Sequence, residues 1–220
     1  MKKSILISSL VLGLSVLSFG QRRFTVLEVN GGISAIQGDL QDQIIGFKNV
    51  NPSFSVTMHT RASKSRSFSI GGGVELNTLN HFYSSPNRSY YDQTEVEGYH
   101  FNAQVSGRLL LTGRDDVRFM KGAFYTYLEG NAGMSYISVQ STYPPAETFS
   151  KLGEEVETHT EYKPSVGAAL GFRYYLTYNL GVNLRFSGKY VASDLLDGVE
   201  GITDVNDYLF TSSIGMSYAF

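Results

Sequence analysis

Three carboxylates and five cations stand on stretches whose neighbouring even or odd positions are otherwise Gly, Ser, Thr and Asn: Glu28, Glu75 and Glu129 against Arg61, Arg108, Arg173, Arg185 and Lys189. A charge withdrawn from water needs a partner of opposite sign, so charges sharing one buried face are expected to pair. The chemistry expected of this set is therefore a pairing network that stabilises a filled interior. A proton or ion path lined by the same groups is the alternative. Four histidines supply the other reactive side chains. His100 near Glu75, and His159 among Glu155, Glu157 and Ser150, carry the residue types of a hydrolytic constellation, and would make the chain an outer-leaflet lipid-modifying enzyme such as an acyltransferase or deacylase. Neither grouping has a recognisable motif, and a hydrogen-bonded structural histidine is the ordinary reading of His59 and His100, with His81 and His159 in loops.

Asp194, Asp197, Glu200, Asp204 and Asp207 offer the carboxylate oxygens that calcium prefers, but without the regular spacing of an EF-hand, so a solvated acidic loop is the plainer reading. Gly71-Gly72-Gly73 has no Lys-Ser/Thr after it and no helical pattern following, which excludes a phosphate loop and leaves a tight sheet bend. Cysteine is absent, which removes disulfides, thiolate metal sites and a lipidated N-terminal cysteine. No catalytic residue and no cofactor is expected, and a net charge of −2 over 220 residues gives no sign of a nucleic-acid partner.

The elements that must position these groups are strands. With 15 Tyr, 14 Phe, 23 Gly and no long helical periodicity, the chain favours an all-β fold. In steps of two, Leu27, Val29, Gly31, Ile33 and Ala35 oppose Glu28, Asn30, Gly32 and Ser34. The same split recurs in Phe54–Met58, Phe68–Leu76, Tyr99–Leu109, Leu128–Tyr136, Val166–Tyr174, Val182–Tyr190 and Tyr208–Phe220, giving eight strands. The links at 62–66 and 177–179 are short. Those at 37–52, 78–98, 140–162 and 191–206 are long and polar, and the link at 112–122 is intermediate. Alternating short turns and long loops is the habit of an outer-membrane barrel, with the long loops external. Phe82, Tyr83, Tyr90, Tyr91 and Tyr143, beside Pro144-Pro145, are expected in those loops, either as an adhesive surface or packed over the barrel mouth.

Lys2 and Lys3, the apolar run Ile5 to Leu17 and Ser18-Phe19-Gly20 read as a cleavable signal peptide over 1–20, leaving a barrel domain over 21–220. A soluble periplasmic, lipocalin-like carrier would show the same alternation with its apolar face inward. The polar face here is instead Gly, Ser and Asn with few charges, which suits the crowded lumen of a narrow barrel, and Tyr99, Tyr125, Tyr127, Tyr136, Tyr174, Tyr190 and Tyr208 gather where interfacial girdles would lie. The expectation is an all-β, eight-stranded antiparallel transmembrane barrel with a filled polar interior, facing outer-membrane lipid.

The ending Met216-Ser217-Tyr218-Ala219-Phe220 resembles the terminal signal read by the barrel assembly machinery, through Met216, Tyr218 and Phe220. As a whole the chain resembles the small OmpA/OmpX-like barrels. More narrowly, Gly38-Asp39-Leu40 and Ser193-Asp194-Leu195-Leu196-Asp197-Gly198-Val199 are similar to the Gly-Asp-Leu and Thr-Asp-Tyr-Leu-Asp-Asp-Val stretches of a Bacteroidota barrel family that includes the PorG component of the type IX secretion machinery. Leu195 and Gly198 depart from that second stretch. The resemblance implies a non-enzymatic anchor or interaction module, a location in the outer membrane of a diderm bacterium, and a periplasmic partner in a lipoprotein-containing ring.

Overall fold

A computed structural model describes residues 24–37, 50–61, 67–83, 94–112, 121–143, 155–193, 195–196 and 207–220. The predicted signal peptide, Gly38-Asp39-Leu40, Tyr90, Tyr91, Pro144 and Pro145 lie outside them. The chain forms β1 (Thr25–Gln37), β2 (Val50–Arg61), β3 (Phe68–Tyr83), β4 (Thr94–Thr112), β5 (Phe124–Tyr143), β6 (Glu155–Tyr175), β7 (Leu180–Val191) and β8 (Tyr208–Ala219). All neighbours are antiparallel and β1 pairs with β8, so the eight strands close into a barrel with no free edge around its waist. The Gly71-Gly72-Gly73 run lies in the middle of β3.

Over the waist the residues expected on the apolar face point outward, including Val29, Phe54, Ile70, Val74, Val105, Leu128, Met134, Val166, Phe186 and Ile214, all of them exposed. Their partners in the alternation, Glu28, Asn30, Thr57, Glu75, Asn102, Glu129 and Arg185, are buried in the lumen. An exterior of Val, Ile, Leu and Phe that covers every strand is the surface a bilayer wets, which is the opposite of a carrier with an apolar cavity.

Aromatic pairs bound this exterior. At one end Tyr136 lies 5.8 Å from Tyr99 and 4.8 Å from Tyr162, and Tyr190 lies 5.5 Å from Tyr208. At the other, Phe124 sits 6.1 Å from Phe172, and Tyr218 sits 5.0 Å from Phe220. Along β5 the distance from Phe124 to Tyr136, at about 3.3 Å per residue and a tilt of about 40°, is about 30 Å of height, the thickness of a hydrocarbon core. Tyr125 and Tyr127, expected in the girdles, are instead buried in the lumen, because they occupy the odd, inward positions of β5.

Past Leu76, Tyr99, Tyr136 and Tyr162 the strands do not stop. β3 to β6 run 16, 19, 20 and 21 residues, against 12 or 13 for the other four, so much of 78–98 and 140–162 is sheet rather than loop. The polarity of the two faces exchanges at this height. Thr78, Asn80, Glu97, Ser138, Gln140 and Thr160 now share the outward parity, while Leu79, Val96, Ile137 and Val139 point in and are buried. β3 to β6 therefore project beyond the apolar band as a sheet that is polar outside, its inner side apolar on β3 to β5 and carrying Glu157, His159 and Glu161 on β6.

Candidate functional site

The interior charges form one alternating ladder. Arg173 donates to Glu28; Arg108 Nη1 and Nη2 donate to the two oxygens of Glu28 at 2.7 and 2.9 Å. The same guanidinium reaches Glu129 Oε2 through Nη2 at 2.7 Å and Nε at 3.1 Å, and Arg185 Nη2 donates to Glu129 Oε1 at 3.0 Å. Arg185 Nη1 stands 4.0 Å from Glu75 Oε2, which accepts from Lys189 Nζ at 3.1 Å. Cation and carboxylate thus alternate through Arg173, Glu28, Arg108, Glu129, Arg185, Glu75 and Lys189, drawn from six strands, each member within reach of the next. Four cations face three carboxylates, leaving one positive charge in excess.

Neutral groups fill the remaining valences. Thr57 donates to Glu28 at 3.3 Å, Asn77 to Glu75 at 3.1 Å, and Lys189 also donates to Asn102 at 3.1 Å. Arg108 Cζ lies over the Tyr127 ring, 3.8 Å from its centre, a cation–π contact with the charge desolvated. That ring occupies the space a side chain at position 171 would take, since a Cβ on Gly171 would overlap it. Arg61, expected in the network, is not part of it. It sits at the last position of β2, below the carboxylates, with its guanidinium 5.5 Å from the Phe24 ring, and among the described residues it pairs with no carboxylate.

Both ends of the ladder are closed by apolar side chains. Below it Phe24, Val26, Leu110, Tyr125, Tyr127, Tyr175 and Ala219 pack together, and the cavity left beside them, about 10 Å³, is at the limit of what one water requires. Above it Ile36, Leu79, Val96, Ile137, Val139, Val191 and Leu209 form a second layer, completed by Leu195 and Leu196 from the segment after β7. Ser193 ties that segment to the projecting sheet by donating to Glu161 and accepting from Leu195 N–H at 3.1 Å. Leu196 N–H donates to Asp207 Oδ2 at 2.8 Å. The leucines of the sequence stretch 193–199 are thus a stopper in the barrel mouth. Asp207, grouped by sequence with an acidic candidate metal site, holds that stopper; Asp194, Asp197, Glu200 and Asp204 lie outside the described residues.

The histidines do not assemble a catalytic constellation among the described residues. His100 does not meet Glu75 directly: Asn77 Nδ2 lies 3.1 Å from Glu75 Oε1 and 3.1 Å from His100 Nδ1, and His100 Nε2 lies 2.8 Å from Ser135 Oγ. The carboxylate only accepts, so the amide nitrogen faces it, and Nδ1 of His100 must also accept from that nitrogen. The ring proton is then on Nε2, donated to Ser135, and no lone pair faces the hydroxyl. The order Ser–His–Asn–Glu mimics a triad but is wired in reverse, inside a layer that is completely buried. His59 Nε2 lies 3.2 Å from Ser106 Oγ and 3.6 Å from Glu129. His159 is half-exposed beside Glu157 at 3.3 Å, with Ser150 outside the described residues. His81, in the projecting part of β3 and 3.4 Å from Asn51 Nδ2, is pushed down to about 4 by burial.

Among solved structures the chain is similar to a major outer membrane protein of Thermus thermophilus, with a TM-score of 0.52 at 12% identity, covering 89% of this chain and 99% of that one. It is also similar to Ail, the attachment invasion locus protein of Yersinia pestis, solved with the heparin analogue sucrose octasulfate, with a TM-score of 0.50 at 12% identity, covering 90% and 99%. No family model matches the sequence, and no curated protein does. The likeness is one of fold: a small outer-membrane barrel of eight strands.

Proposed function

We propose that the chain is a non-enzymatic outer-membrane barrel that anchors an interaction surface: the sheet formed by the projecting ends of β3 to β6, standing outside the cell. The observation that carries this reading is the pairing of a plugged lumen with a sheet that continues about 13 to 18 Å past the aromatic boundary, by the same rise and tilt. A barrel stoppered at both ends is unsuited to conduct solutes, and its buried histidines are unsuited to hydrolysis. What is left to present is the outer sheet, with the exposed Phe82 near the tip of β3. That the same fold serves an attachment protein in Ail supports the reading by analogy alone.

The test is fractionation of the expressing cell, followed by gel mobility before and after boiling, then crosslinking from the cell surface. The reading expects the protein in outer membranes, a mobility shift on boiling, and partners captured through a photoreactive residue at Thr158 or Gln140 but not at Val105. Release with the periplasmic contents would overturn it, as would lipid hydrolysis by the purified barrel. A narrower reading makes the barrel part of a type IX secretion apparatus, contacting a periplasmic lipoprotein; the likeness of 38–40 and 193–199 to the PorG-type stretches is its support. Co-purification of such a lipoprotein from crosslinked envelopes is the measurement that decides it.

A further inference from the structure

The lipid-facing wall is not evenly filled. On β1, β7 and β8 the outward residues alternate large and small in two adjacent rows. Ala35 and Gly188 flank Phe210 in one row, and Ile33 and Phe186 flank Ser212 in the next. The Phe210 ring leans onto Gly188, 3.4 Å from where a Cβ there would stand, and so leaves the space over Ala35. The result is a groove of about 310 Å³ walled by Ile33, Val50, Phe186 and Phe210 and floored by small residues. Its height is set by register: Phe210 and Gly188 each follow or precede by two residues the Tyr208 and Tyr190 rings of the projecting-end girdle.

We infer that this groove is a binding site for one acyl chain of a lipid in the leaflet on the projecting side. The groove opens within the apolar band, so it is continuous with the surface already in contact with lipid, and hydrocarbon tails are the medium that surrounds it. Its walls are hydrocarbon and aromatic, with the Ser212 hydroxyl the one polar side chain facing out among those that floor it. A tail lying there gains contact on three sides where a tail against the flat wall gains it on one, and close contact is what dispersion attraction rewards. The Tyr190 and Tyr208 rings sit immediately above, at the depth where the tail joins its headgroup. The same wall carries the short strands, opposite the tall sheet of β3 to β6, so the groove and the proposed interaction surface occupy different sides of the barrel.

The experiment is native mass spectrometry of the full barrel in detergent with added phosphatidylethanolamine, comparing the wild type, Ser212→Phe and Gly130→Phe. Both substitutions place a phenyl ring on the lipid-facing surface; Gly130 lies on β5, where an added Cβ meets nothing within 4 Å. The mobility shift on boiling verifies that each is folded, and Ala35→Phe replaces Ser212→Phe should the latter fail to fold. One lipid retained by the wild type and by Gly130→Phe, and retention at least tenfold lower on filling the groove, supports the assignment. Equal retention by all three, or none by the wild type, overturns it. Loss of a dimer peak rather than of lipid on filling the groove also overturns it, and assigns the groove to a contact between copies of the chain.

Discussion

Arg108 is the residue on which the interior turns, because it alone bonds two carboxylates with both ends of its guanidinium. Replacing it by Met leaves Glu28 with Arg173 and Glu129 with Arg185 but removes the charged hydrogen bonds that join the two carboxylates, at a cost of about 3 kcal/mol. Lys189→Met, at the end of the ladder, costs less, and urea unfolding of the barrel in lipid vesicles, followed by gel mobility, ranks the two. An equal or smaller cost at Arg108 would show that the ladder is not the interior's organising element. Gly171→Val acts on the same group from beneath, since the new side chain expels the Tyr127 ring from under the guanidinium. His81 gives a pH signature at the projecting end. Unfolded, it takes up a proton near its ordinary 6.5; folded, only near 4. The unfolded state therefore binds more protons between these values, so stability is full above about pH 6.5, declines as the pH falls to about 4 and levels off below. The difference amounts to about 3 kcal/mol, and a His81→Gln barrel whose stability declines less than the wild type's between pH 7 and 4 would locate the source at His81; an unchanged slope would rule His81 out.

At the scale of the strand, the informative feature is the exchange of faces. Val105 is 68% exposed at mid-band, and Val105→Arg is expected to cost about 2–4 kcal/mol in a bilayer, whereas Thr158→Arg, on the same outer surface above the girdle, is expected to be neutral. Reading Ile137→Asp against Ser138→Asp tests the inverse order: neighbours on one strand, of which the buried position destabilises strongly and the outward one hardly at all. These pairs are measured by unfolding in vesicles, and a barrel indifferent to the choice of face would contradict the boundary at Tyr99, Tyr136 and Tyr162. The exchange also explains how far the sequence could be read. The waist was legible because Leu27 to Ala35, Phe68 to Leu76 or Tyr99 to Leu109 keep one parity. Leu76 and Tyr136 look like strand ends because the next apolar residues, Leu79, Ile137 and Val139, stand on the other parity, which resembles the end of a strand rather than its continuation into water. Tyr125 and Tyr127 were misplaced for the same reason at the opposite end. Their parity was inward, and their type suggested an interface. The ladder's members could be named from their face, but the order of pairing could not, since it depends on strand stagger. Arg61 shares the face and lies too low. The stopper was hidden because Leu195 and Leu196 sit in a polar link, where an apolar pair carries no periodic signal.

Taken as a whole, the barrel has two apolar layers enclosing a charged one, and it is expected to remain electrically silent in planar bilayers. Loss of Leu196 removes a completely buried side chain from the upper layer, and Leu196→Ala is expected to cost about 2–5 kcal/mol by the cavity it leaves; steady ion current through the wild-type barrel would show the layers to be permeable. The exchange of polarity along β3 to β5 has one more effect. Sliding the barrel outward by a pair of residues strips lipid from Phe101 and Leu76, and sliding it inward drags Thr78, Glu97 and Ser138 into hydrocarbon. Either displacement is opposed at once, so the molecule has a single resting depth. A sheet carried on such a barrel is held like a mark on a fixed gauge: whatever meets it does so at one altitude above the lipid, and a partner whose reach falls short of that altitude is refused by distance alone.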